Sequence, residues 1–388
     1  MKIADRIDRI QPSITLEMTA KAAELRKSGV DVINLSVGEP DFDTPQNIKD
    51  AGLKAINNGK TKYTAGSGIP ELKSAIIKKL KRDNQLEYKP ENIIVSCGGK
   101  HTLYNACQVL FQKNDEVIIF SPYWVSFPDF VAVTGAKPIV VPTLADRQYE
   151  PDFKILEKAI TKNTKGIIIN SPSNPTGGVW GDEAIKKTLS IAKKNDLWVF
   201  SDECYESLTY DCPFTSIQNF DLNNEKILTF QSCSKTYSMT GWRIGYTAGH
   251  PAIIKAMGKL QSQSTSCPNS IAQHAALEAL SGDQSEVLKM KKVFKKRRDL
   301  IVSELNKIDG IHCEKPGGAF YVFPSLDGLI RGNKIKSAWD FCFQLLEEKA
   351  IASVPGRSFG LENNIRFSYA ISSEQIKLAV QRIKETLK

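Results

Sequence analysis

Lys235 stands in an unusual part of this sequence. The stretch from residue 232 to 243, Ser-Cys-Ser-Lys-Thr-Tyr-Ser-Met-Thr-Gly-Trp-Arg, has small hydroxyl and apolar side chains and no acid. Removing a lysine from water lowers the pKa of its ammonium group, and the neutral amine is a nucleophile toward carbonyl groups. The stretch therefore predicts a reactive amine at Lys235, with Arg243 as a cation close to it.

A second group of residues suits an anion. Gly99 and Lys100 stand at a predicted helix start, where backbone amides point outward and bind phosphate groups. Ser232 and Arg243 add a hydroxyl and a guanidinium, which form strong hydrogen bonds to phosphate oxygens. These residues predict a phosphate site beside Lys235.

Asp202 predicts a third feature, a buried negative charge. It ends an apolar run, and a carboxylate there needs a positive partner to stay ionised. The protonated pyridine nitrogen of pyridoxal phosphate is such a partner. Asn174 and Tyr205 offer donors for the phenolic oxygen of that ring, and Trp124 offers a flat face for stacking. Together with Lys235, these residues predict a pyridoxal phosphate site.

The elements that must position these residues follow an alternating pattern. Short apolar runs rich in β-branched residues alternate with helical patterns between about residues 46 and 280, which is typical of an α/β fold with a largely parallel sheet. Ligands of such sheets bind at the carboxyl ends of the strands. The motifs around Gly99, Asn174, Asp202 and Ser232 each follow a predicted strand, so we expect them to converge on one cleft. The predicted strands are 93–96, 117–120, 139–141, 167–170, 198–201 and 227–231, with a helix at 182–195.

The two ends of the chain differ from this middle part. The tail from residue 281 begins with a long lysine-rich helix and reads as a smaller α+β unit. Residues 1–45 show no strand–helix unit of their own, so we expect them to join the tail. The predicted organisation is a large cofactor-binding α/β domain at 46–280 and a small domain built from 1–45 and 281–388.

Composition excludes several classes of protein. The 388 residues carry a net charge of +9, but their lysines are scattered, and we interpret the densest run, Lys295 to Arg298, as a solvated helix face rather than a nucleic-acid site. Eight separated cysteines, without a zinc-type spacing, indicate a reducing compartment and no metal site. The charged N-terminus is no secretory signal, and no apolar run is long enough to span a membrane. We expect a cytoplasmic protein.

Motifs along nearly the whole chain support a family assignment. The chain resembles the class I aminotransferases of pyridoxal-phosphate fold type I, and among them the bacterial aspartate aminotransferases, some of which also use prephenate. The motifs that carry the resemblance are Gln11 to Thr15, Gly38 to Asp43, Tyr63-Thr64, Gly68 to Leu72, Gly98 to Lys100, Asn174 to Gly177, Asp202-Glu203 with Tyr205, Ser232 to Arg243, and Arg366 to Tyr369.

The resemblance implies a role for each matching residue. Lys235 forms the Schiff base with the cofactor aldehyde and moves the substrate proton. Arg366 clamps the substrate α-carboxylate in a bidentate geometry that lysine cannot reproduce, with the Gly38 backbone completing that site and Trp124 and Asn174 lining it. Tyr63 reaches the phosphate of the neighbouring subunit, which implies a homodimer with shared active sites.

Substrate choice depends on two further residues. In the resembling subgroup, the lysine that matches Lys100 reads the distal carboxylate of the substrate, with help from the hydroxyl that matches Thr15. This pair favours the dicarboxylic substrates aspartate, glutamate and prephenate, with 2-oxo acids as acceptors. Arg357 departs from the family, which more often has a small or acidic residue there, and we expect it either to read acidic side chains or to face solvent.

Other functions on the same fold remain alternatives. Related enzymes transaminate aromatic or kynurenine-type amino acids or cleave β-C–S bonds, and Lys100 with Thr15 argues against these without excluding them. A non-catalytic module that senses pyridoxal phosphate needs a winged-helix segment ahead of the domain, and the early position of Gly38 leaves little room for one. We rank this alternative last.

Overall fold

A long apolar sheet forms the centre of the structure, a computed structural model that describes residues 3–11 and 14–388, without the side chains of residues 15 and 16. The strands are β1 (Ile33–Asn34), β2 (Ile93–Ser96), β3 (Glu116–Ser121), β4 (Lys137–Leu144), β5 (Glu150–Pro151), β6 (Thr164–Asn170), β7 (Trp198–Asp202), β8 (Ile227–Ser232), β9 (Gly245–Ala248), β10 (Tyr321–Val322), β11 (Ile351–Ala352), β12 (Val354–Pro355) and β13 (Ile365–Ser368).

Helices cover this sheet and build the rest of the molecule. They are α1 (Ile14–Lys27), α2 (Gln46–Asn57), α3 (Pro70–Asn84), α4 (Gly99–Leu110), α5 (Ser126–Ala132), α6 (Phe153–Ala159), α7 (Asp182–Lys194), α8 (Cys233–Thr236), α9 (Pro251–Ser262), α10 (Ser270–Ser281), α11 (Ser285–Leu305), α12 (Asp327–Arg331), α13 (Ala338–Lys349) and α14 (Ser373–Thr386). Within the described part of the chain, every helix is too short or too polar to cross a membrane.

The main sheet has eight strands in the order β2-β9-β8-β7-β6-β3-β4-β5. The strands from β8 to β4 pair in parallel, which confirms the predicted α/β class. All six predicted strands are present, and most extend by one or more residues beyond the predicted bounds. The sequence did not predict β9, which runs antiparallel between β2 and β8.

Both faces of the sheet are buried, because successive strand residues point to opposite sides. In β3, Val117 and Ile119 pack into one core cluster and Ile118 packs into another. The helices α4, α5 and α9 contribute to the first cluster, and α6 and α7 contribute to the second. This burial on both faces explains why the strands read as continuous apolar runs.

Polar residues end the central strands at one edge. Asn170, Asp202 and Ser232 are the last residues of the parallel strands β6, β7 and β8. Ser96 ends β2, which has the same direction as β8 because both pair antiparallel with β9. The predicted convergence of the strand-end motifs on one cleft is therefore present.

Two smaller sheets connect the chain ends. β1 pairs in parallel with β11, and β13 lies between β10 and β12 with antiparallel pairing on both sides. A strand of the N-terminal segment thus pairs with a strand of the C-terminal tail. The exact domain boundaries stay a prediction.

One interpretation of the sequence holds for Lys295 and Lys296, which are exposed, but is wrong for the two arginines that follow them. The run from Lys295 to Arg298 lies in helix α11 as predicted, but Arg297 and Arg298 are buried rather than solvated. Arg298 pairs with Asp211 at 2.6 Å and with Asp299 at 2.7 Å. Arg297 makes a two-pronged pair with Asp41, at 2.7 and 2.9 Å. Two of these acids, Asp41 and Asp211, lie far away in the sequence, so the local pattern could not reveal them.

Candidate active site

Lys235 lies at the edge of the cleft on the short helix α8. The Ser232 hydroxyl caps this helix by accepting a hydrogen bond from the Ser234 amide at 3.1 Å. The Lys235 Nζ donates to the Gly38 carbonyl oxygen at 2.5 Å. Desolvation by the surrounding protein lowers the pKa of Lys235, and the nearby cations Arg243 and Arg366 lower it further. A lowered pKa increases the neutral fraction of this amine, while Cys204 and Glu39 oppose the shift.

A glycine pair shapes an anion cradle next to it. Gly98 has a φ of +94°, which only glycine adopts readily, and a side chain there would overlap the Arg243 guanidinium. A Cβ atom on Gly99 would approach the Ser232 Cβ to 3.2 Å. Gly98 directly precedes α4, so the free amides at the start of this helix face the same corner as Arg243 and Ser232. The predicted phosphate ligands do lie together.

Asp202 lies buried at the end of β7. Its Oδ1 accepts one hydrogen bond, from the Cys204 amide at 3.2 Å, and no described basic side chain forms an ion pair with it. Burial raises its pKa to about 7, with the neighbouring Glu203 adding to the rise. A cation in the cleft would return this carboxylate to its charged form.

Arg366 is the opposite case, a buried cation. Its Nη1 donates to the Asn174 Oδ1 at 2.9 Å and its Nη2 donates to the Ser36 carbonyl at 2.6 Å. Its Nε is buried without a hydrogen-bond partner among the described residues, and burial lowers its pKa. A guanidinium held only by neutral oxygens suits a ligand that brings a carboxylate.

Comparison with known proteins places this geometry in a family. The family model for aminotransferases of class I and II matches residues 30–383. The chain belongs to the class I and II aminotransferases. It is 46% identical to the aspartate/prephenate aminotransferase of Cereibacter sphaeroides over 98% of both chains. It is 45% identical to the aspartate aminotransferase of Bacillus subtilis, over 99% of this chain and 98% of that protein.

Solved structures agree with this assignment. The aspartate aminotransferase of Thermus thermophilus, solved with maleate, superposes with a TM-score of 0.94 at 39% identity, and each chain is covered completely. The predicted fold type I is confirmed by this likeness. The protein is therefore an enzyme, a transferase of a pyridoxal-phosphate-dependent family.

Tyr205 of this aminotransferase has a partner that the sequence did not indicate. Its hydroxyl lies 2.8 Å from the hydroxyl of Tyr321. The Tyr321 ring also lies under the Arg366 guanidinium, 4.7 Å from ring centre to Cζ, and its hydroxyl would be 3.0 Å from a Cβ on Gly38. Tyr321 is also fully buried in a core cluster. Its contacts come from distant parts of the chain, so no local signal marks it.

Lys100 and Trp124 meet at the outer part of the cleft. The Lys100 Nζ lies 5.1 Å from the Trp124 ring centre, and the Trp124 ring packs edge-on against Phe127 and Phe130. Desolvation lowers the pKa of Lys100, and Arg243 lowers it further. Lys100 is thus a second cation near the phosphate corner, with its head group over an aromatic face.

Other predicted residues lie apart from these contacts. Tyr63 is 88% exposed. Thr15 belongs to helix α1, but its side chain lies outside the described residues. Arg357 is exposed, 3.9 Å from the Glu362 carboxylate and 5.5 Å from the Trp339 ring, which matches the solvent-facing alternative.

A segment that crosses the cleft supplies further contacts that the sequence did not predict. Ser36 holds Arg366 and Gly38 holds Lys235 through their carbonyl oxygens. The next residue, Glu39, accepts a hydrogen bond from the Thr240 hydroxyl at 2.9 Å. Since backbone oxygens carry no side-chain signature, only Gly38 was visible in the sequence.

Proposed function

We propose that this aminotransferase moves the amino group of L-aspartate or L-glutamate to 2-oxoglutarate or oxaloacetate, with prephenate as a further acceptor. The observation that carries the proposal is the buried Arg366, whose charge meets no carboxylate among the described residues. The names of the relatives from Bacillus subtilis and Cereibacter sphaeroides support the substrates. The Thermus thermophilus structure holds maleate, which is itself a dicarboxylate.

The residues in the cleft fit pyridoxal 5'-phosphate as the cofactor. The cradle of Gly98, Gly99, Ser232 and Arg243 suits its phosphate. The unpaired carboxylate of Asp202 suits its ring nitrogen in the protonated form, and Tyr205 and Asn174 provide groups for its phenolic oxygen. When bound, the cofactor supplies an aldehyde for covalent capture of amino groups and a ring that accepts electrons.

The chain's own residues then bind the substrate and move one proton. Arg366 binds the α-carboxylate in a fork geometry, with Asn174 and Ser36 fixing the plane of the guanidinium. Lys235 takes the proton from Cα and delivers it to the cofactor side. The lowered pKa of Lys235 brings its amine closer to the working pH, where acid and base forms are both available.

Lys100, the second cation of the cleft, explains the proposed preference for substrates with acidic side chains. Lys100 lies over Trp124 at the outer part of the cleft, and a distal carboxylate that reaches this region would pair with it. Neutral side chains would gain no such pair. We therefore assign the selection for dicarboxylates to Lys100 and, from the family resemblance, to Thr15.

The proposed active unit is a homodimer with shared sites. The family resemblance gives Tyr63 to the phosphate of the neighbouring subunit, and the exposure of Tyr63 supports that placement. Leu53 and Ile56 on the preceding helix α2 are also exposed, at 57% and 48%, and are apolar surface that a second subunit would bury. Sedimentation of the purified enzyme tests the dimer.

An assay with several amino donors tests the proposed function. The loaded enzyme is incubated with 2-oxoglutarate and either L-aspartate, L-phenylalanine or L-cystathionine, and the oxo-acid products are quantified. We expect the highest kcat/KM for L-aspartate, with prephenate replacing 2-oxoglutarate as acceptor. Faster turnover of L-phenylalanine, or release of pyruvate from cystathionine without an acceptor, would contradict the proposal.

A further inference from the structure

A cluster of buried polar side chains lies directly behind the strand ends that carry Asp202 and Ser232. The proposed mechanism gives it no role. We call it the basal cluster. Each member is at most 9% exposed. Its members are Lys79 and Asn84 of helix α3, Glu203 and Glu206 after strand β7, Gln231 of strand β8, and Tyr246 of strand β9.

Gln231 is the centre of the basal cluster. Its amide nitrogen donates to the Glu206 Oε2 at 2.8 Å and to the Glu203 Oε2 at 3.2 Å. Its amide oxygen accepts from the Lys79 Nζ at 2.9 Å and from the Tyr246 hydroxyl at 2.6 Å. All four hydrogen-bonding positions of this side chain are used, so its orientation is fixed.

Charges in the cluster do not cancel. Lys79 forms an ion pair with Glu206, and Asn84 donates to the second oxygen of Glu206 at 2.7 Å. Glu203 forms no ion pair with a cation among the described residues. It accepts from the hydroxyls of Ser201 at 2.8 Å and Ser216 at 2.7 Å and from the Ile217 amide at 3.1 Å. The Ile217 amide and the Gln231 amide nitrogen can only donate, so these contacts match the ionised form of Glu203, whose charge would have no cation beside it among the described residues.

The groups that face Glu203 come from every neighbouring element. Glu206 and Asp202 flank it on its own segment, Lys79 lies on α3, and Tyr88 follows that helix. Tyr246 reaches it only through Gln231. Burial and Glu206 raise the pKa of Glu203, and its three hydrogen bonds from Ser216, Ser201 and Ile217 oppose the rise.

The cluster reaches the cleft through neighbouring residues in the sequence. Glu203 follows Asp202, and Gln231 precedes Ser232. Strand pairing between β7 and β8 ends at Asp202 and Phe230, with one last bond from the Glu203 amide to the Phe230 carbonyl at 2.9 Å. Beyond that point the side chain of Gln231 ties the two strands together.

We propose that Glu203 is a positioning residue for the cofactor site. Through Gln231, Glu203 fixes the ends of β7 and β8. Its carboxylate also places an excess negative charge behind Asp202. This charge favours a protonated ring nitrogen on Asp202 over a neutral one. The inference rests on the assignment of pyridoxal phosphate made above.

The test uses the full chain with the variants Glu203→Gln and Ser216→Ala. Glu203→Gln removes the charge and keeps the shape, whereas Ser216→Ala removes one hydrogen bond to Glu203 and keeps the charge. Two readouts are taken: the Kd of pyridoxal phosphate for the empty enzyme, and the pH midpoint of the visible absorbance change of the loaded enzyme.

We expect Glu203→Gln to weaken cofactor binding about fivefold, the size of a charge interaction in a partly screened site. The absorbance midpoint should fall by about half a pH unit, because the nearby negative charge favours the protonated chromophore. Ser216→Ala should leave the midpoint unchanged, and Glu203→Asp should restore it toward the wild-type value. If Glu203→Gln does not fold, Glu206→Gln is measured in its place. It also removes one negative charge from the basal cluster and should lower the absorbance midpoint by less.

Two outcomes would overturn the inference. One is an unchanged midpoint in both glutamine variants. The other is an equal shift in Glu203→Gln and Ser216→Ala, which would indicate general loosening rather than charge. A wild-type enzyme that shows no visible band with pyridoxal phosphate would instead contradict the proposed function, so the two failures are distinguishable.

Discussion

Two buried arginines of this enzyme have opposite surroundings. Arg298 is fully buried in helix α11 and is matched by the carboxylates of Asp211 and Asp299. Arg366 is 3% exposed in the cleft, and its partners are the neutral oxygens of Asn174 and Ser36. A buried charge is costly unless it is paired. The paired arginine has its charge matched within the fold, and the one without a carboxylate partner among the described residues fits the proposed site at which a ligand supplies that charge.

The buried acid Asp202 and the acid Asp211 differ in the same way, since only Asp211 has cations as partners. Asp211 accepts from Arg298 and Lys295, and these bonds hold its pKa below the usual range. Asp202 has no basic partner among the described residues, and burial raises its pKa to about 7. Among the described residues, the cleft thus contains an acid and a guanidinium that have no ion-pair partner, which fits the proposed binding of charged ligands.

The largest expected effect comes from the amine that is itself the reactive group. Lys235→Ala should reduce kcat by at least about 10⁴-fold, because no other amine takes its place as nucleophile and proton carrier. The protein should still fold, since Lys235 holds only one carbonyl of the Gly38 segment. Steady-state turnover and circular dichroism measure the two properties. Substantial turnover in this variant would contradict the role of Lys235.

A matched pair of substitutions tests the comparison of the two arginines. Arg366→Lys should lower kcat/KM about 100-fold for every amino acid, because lysine cannot form the two-pronged bond to the α-carboxylate. Its effect on thermal stability should be small. Arg298→Lys should leave kcat/KM nearly unchanged and cost about 2 kcal/mol of folding free energy through lost buried hydrogen bonds.

Activity assays and chemical unfolding of both variants provide the check. A stability loss in Arg366→Lys as large as that in Arg298→Lys would mean that both arginines are structural. The distinction between a paired and an unpaired buried cation would then fail as a marker of the site.

Replacing Lys100 should have a smaller effect on kcat/KM than replacing Arg366, and the effect should be selective for acidic substrates. Lys100→Ala should reduce kcat/KM for L-aspartate about tenfold, the range of one partly exposed charge pair, with little change for L-phenylalanine. Arg357→Ala is the control, since Arg357 is exposed and pairs with Glu362. Equal losses for both amino acids in the Lys100 variant would remove Lys100 from the specificity site.

Asp202 predicts an effect on folding rather than on turnover, a pH-dependent change in the stability of the empty enzyme. Its folded pKa is raised to about 7, so between its unfolded pKa and pH 7 the folded chain holds a proton that the unfolded chain releases. Stability from this group is complete at low pH and is lost as pH rises toward and through 7. The free energy of unfolding of Asp202→Asn should therefore exceed that of wild type at pH 8, by up to about 4 kcal/mol for a shift of about three pKa units, and match it near pH 4.

Thermal unfolding of the cofactor-free proteins at both pH values makes this measurement. Adding pyridoxal phosphate should reverse the order at pH 8, because only the wild type then gains the ion pair. A constant difference between the two proteins at all pH values would mean that Asp202 does not titrate in this range.

Much of the fold follows from local sequence, because strands buried on both faces read as apolar runs. Strand β2 lies where it was predicted, and β7 differs by one residue. Strand β9 was missed because its four residues include glycine and follow the polar loop of Arg243, which hides the apolar pattern.

Sequence reasoning predicts site residues with unusual chemistry at or just after strand ends, such as Asp202 and Lys235. It missed Tyr321, whose contact to Tyr205 spans 116 residues. It also misjudged Arg297 and Arg298, whose acids Asp41 and Asp211 lie on other segments. Helical periodicity shows which face is polar, but it does not show whether another segment covers that face.

The absorbance spectrum of the purified enzyme tests the central claim most directly. With pyridoxal phosphate added, a visible band should appear, and L-aspartate without any oxo acid should convert it to a near-ultraviolet band. A later addition of 2-oxoglutarate should restore the visible band. If no visible band forms, Lys235 and the unpaired charges of the cleft do not hold this cofactor. If the band forms and L-aspartate leaves it unchanged, the cofactor site stands and the proposed substrate is wrong.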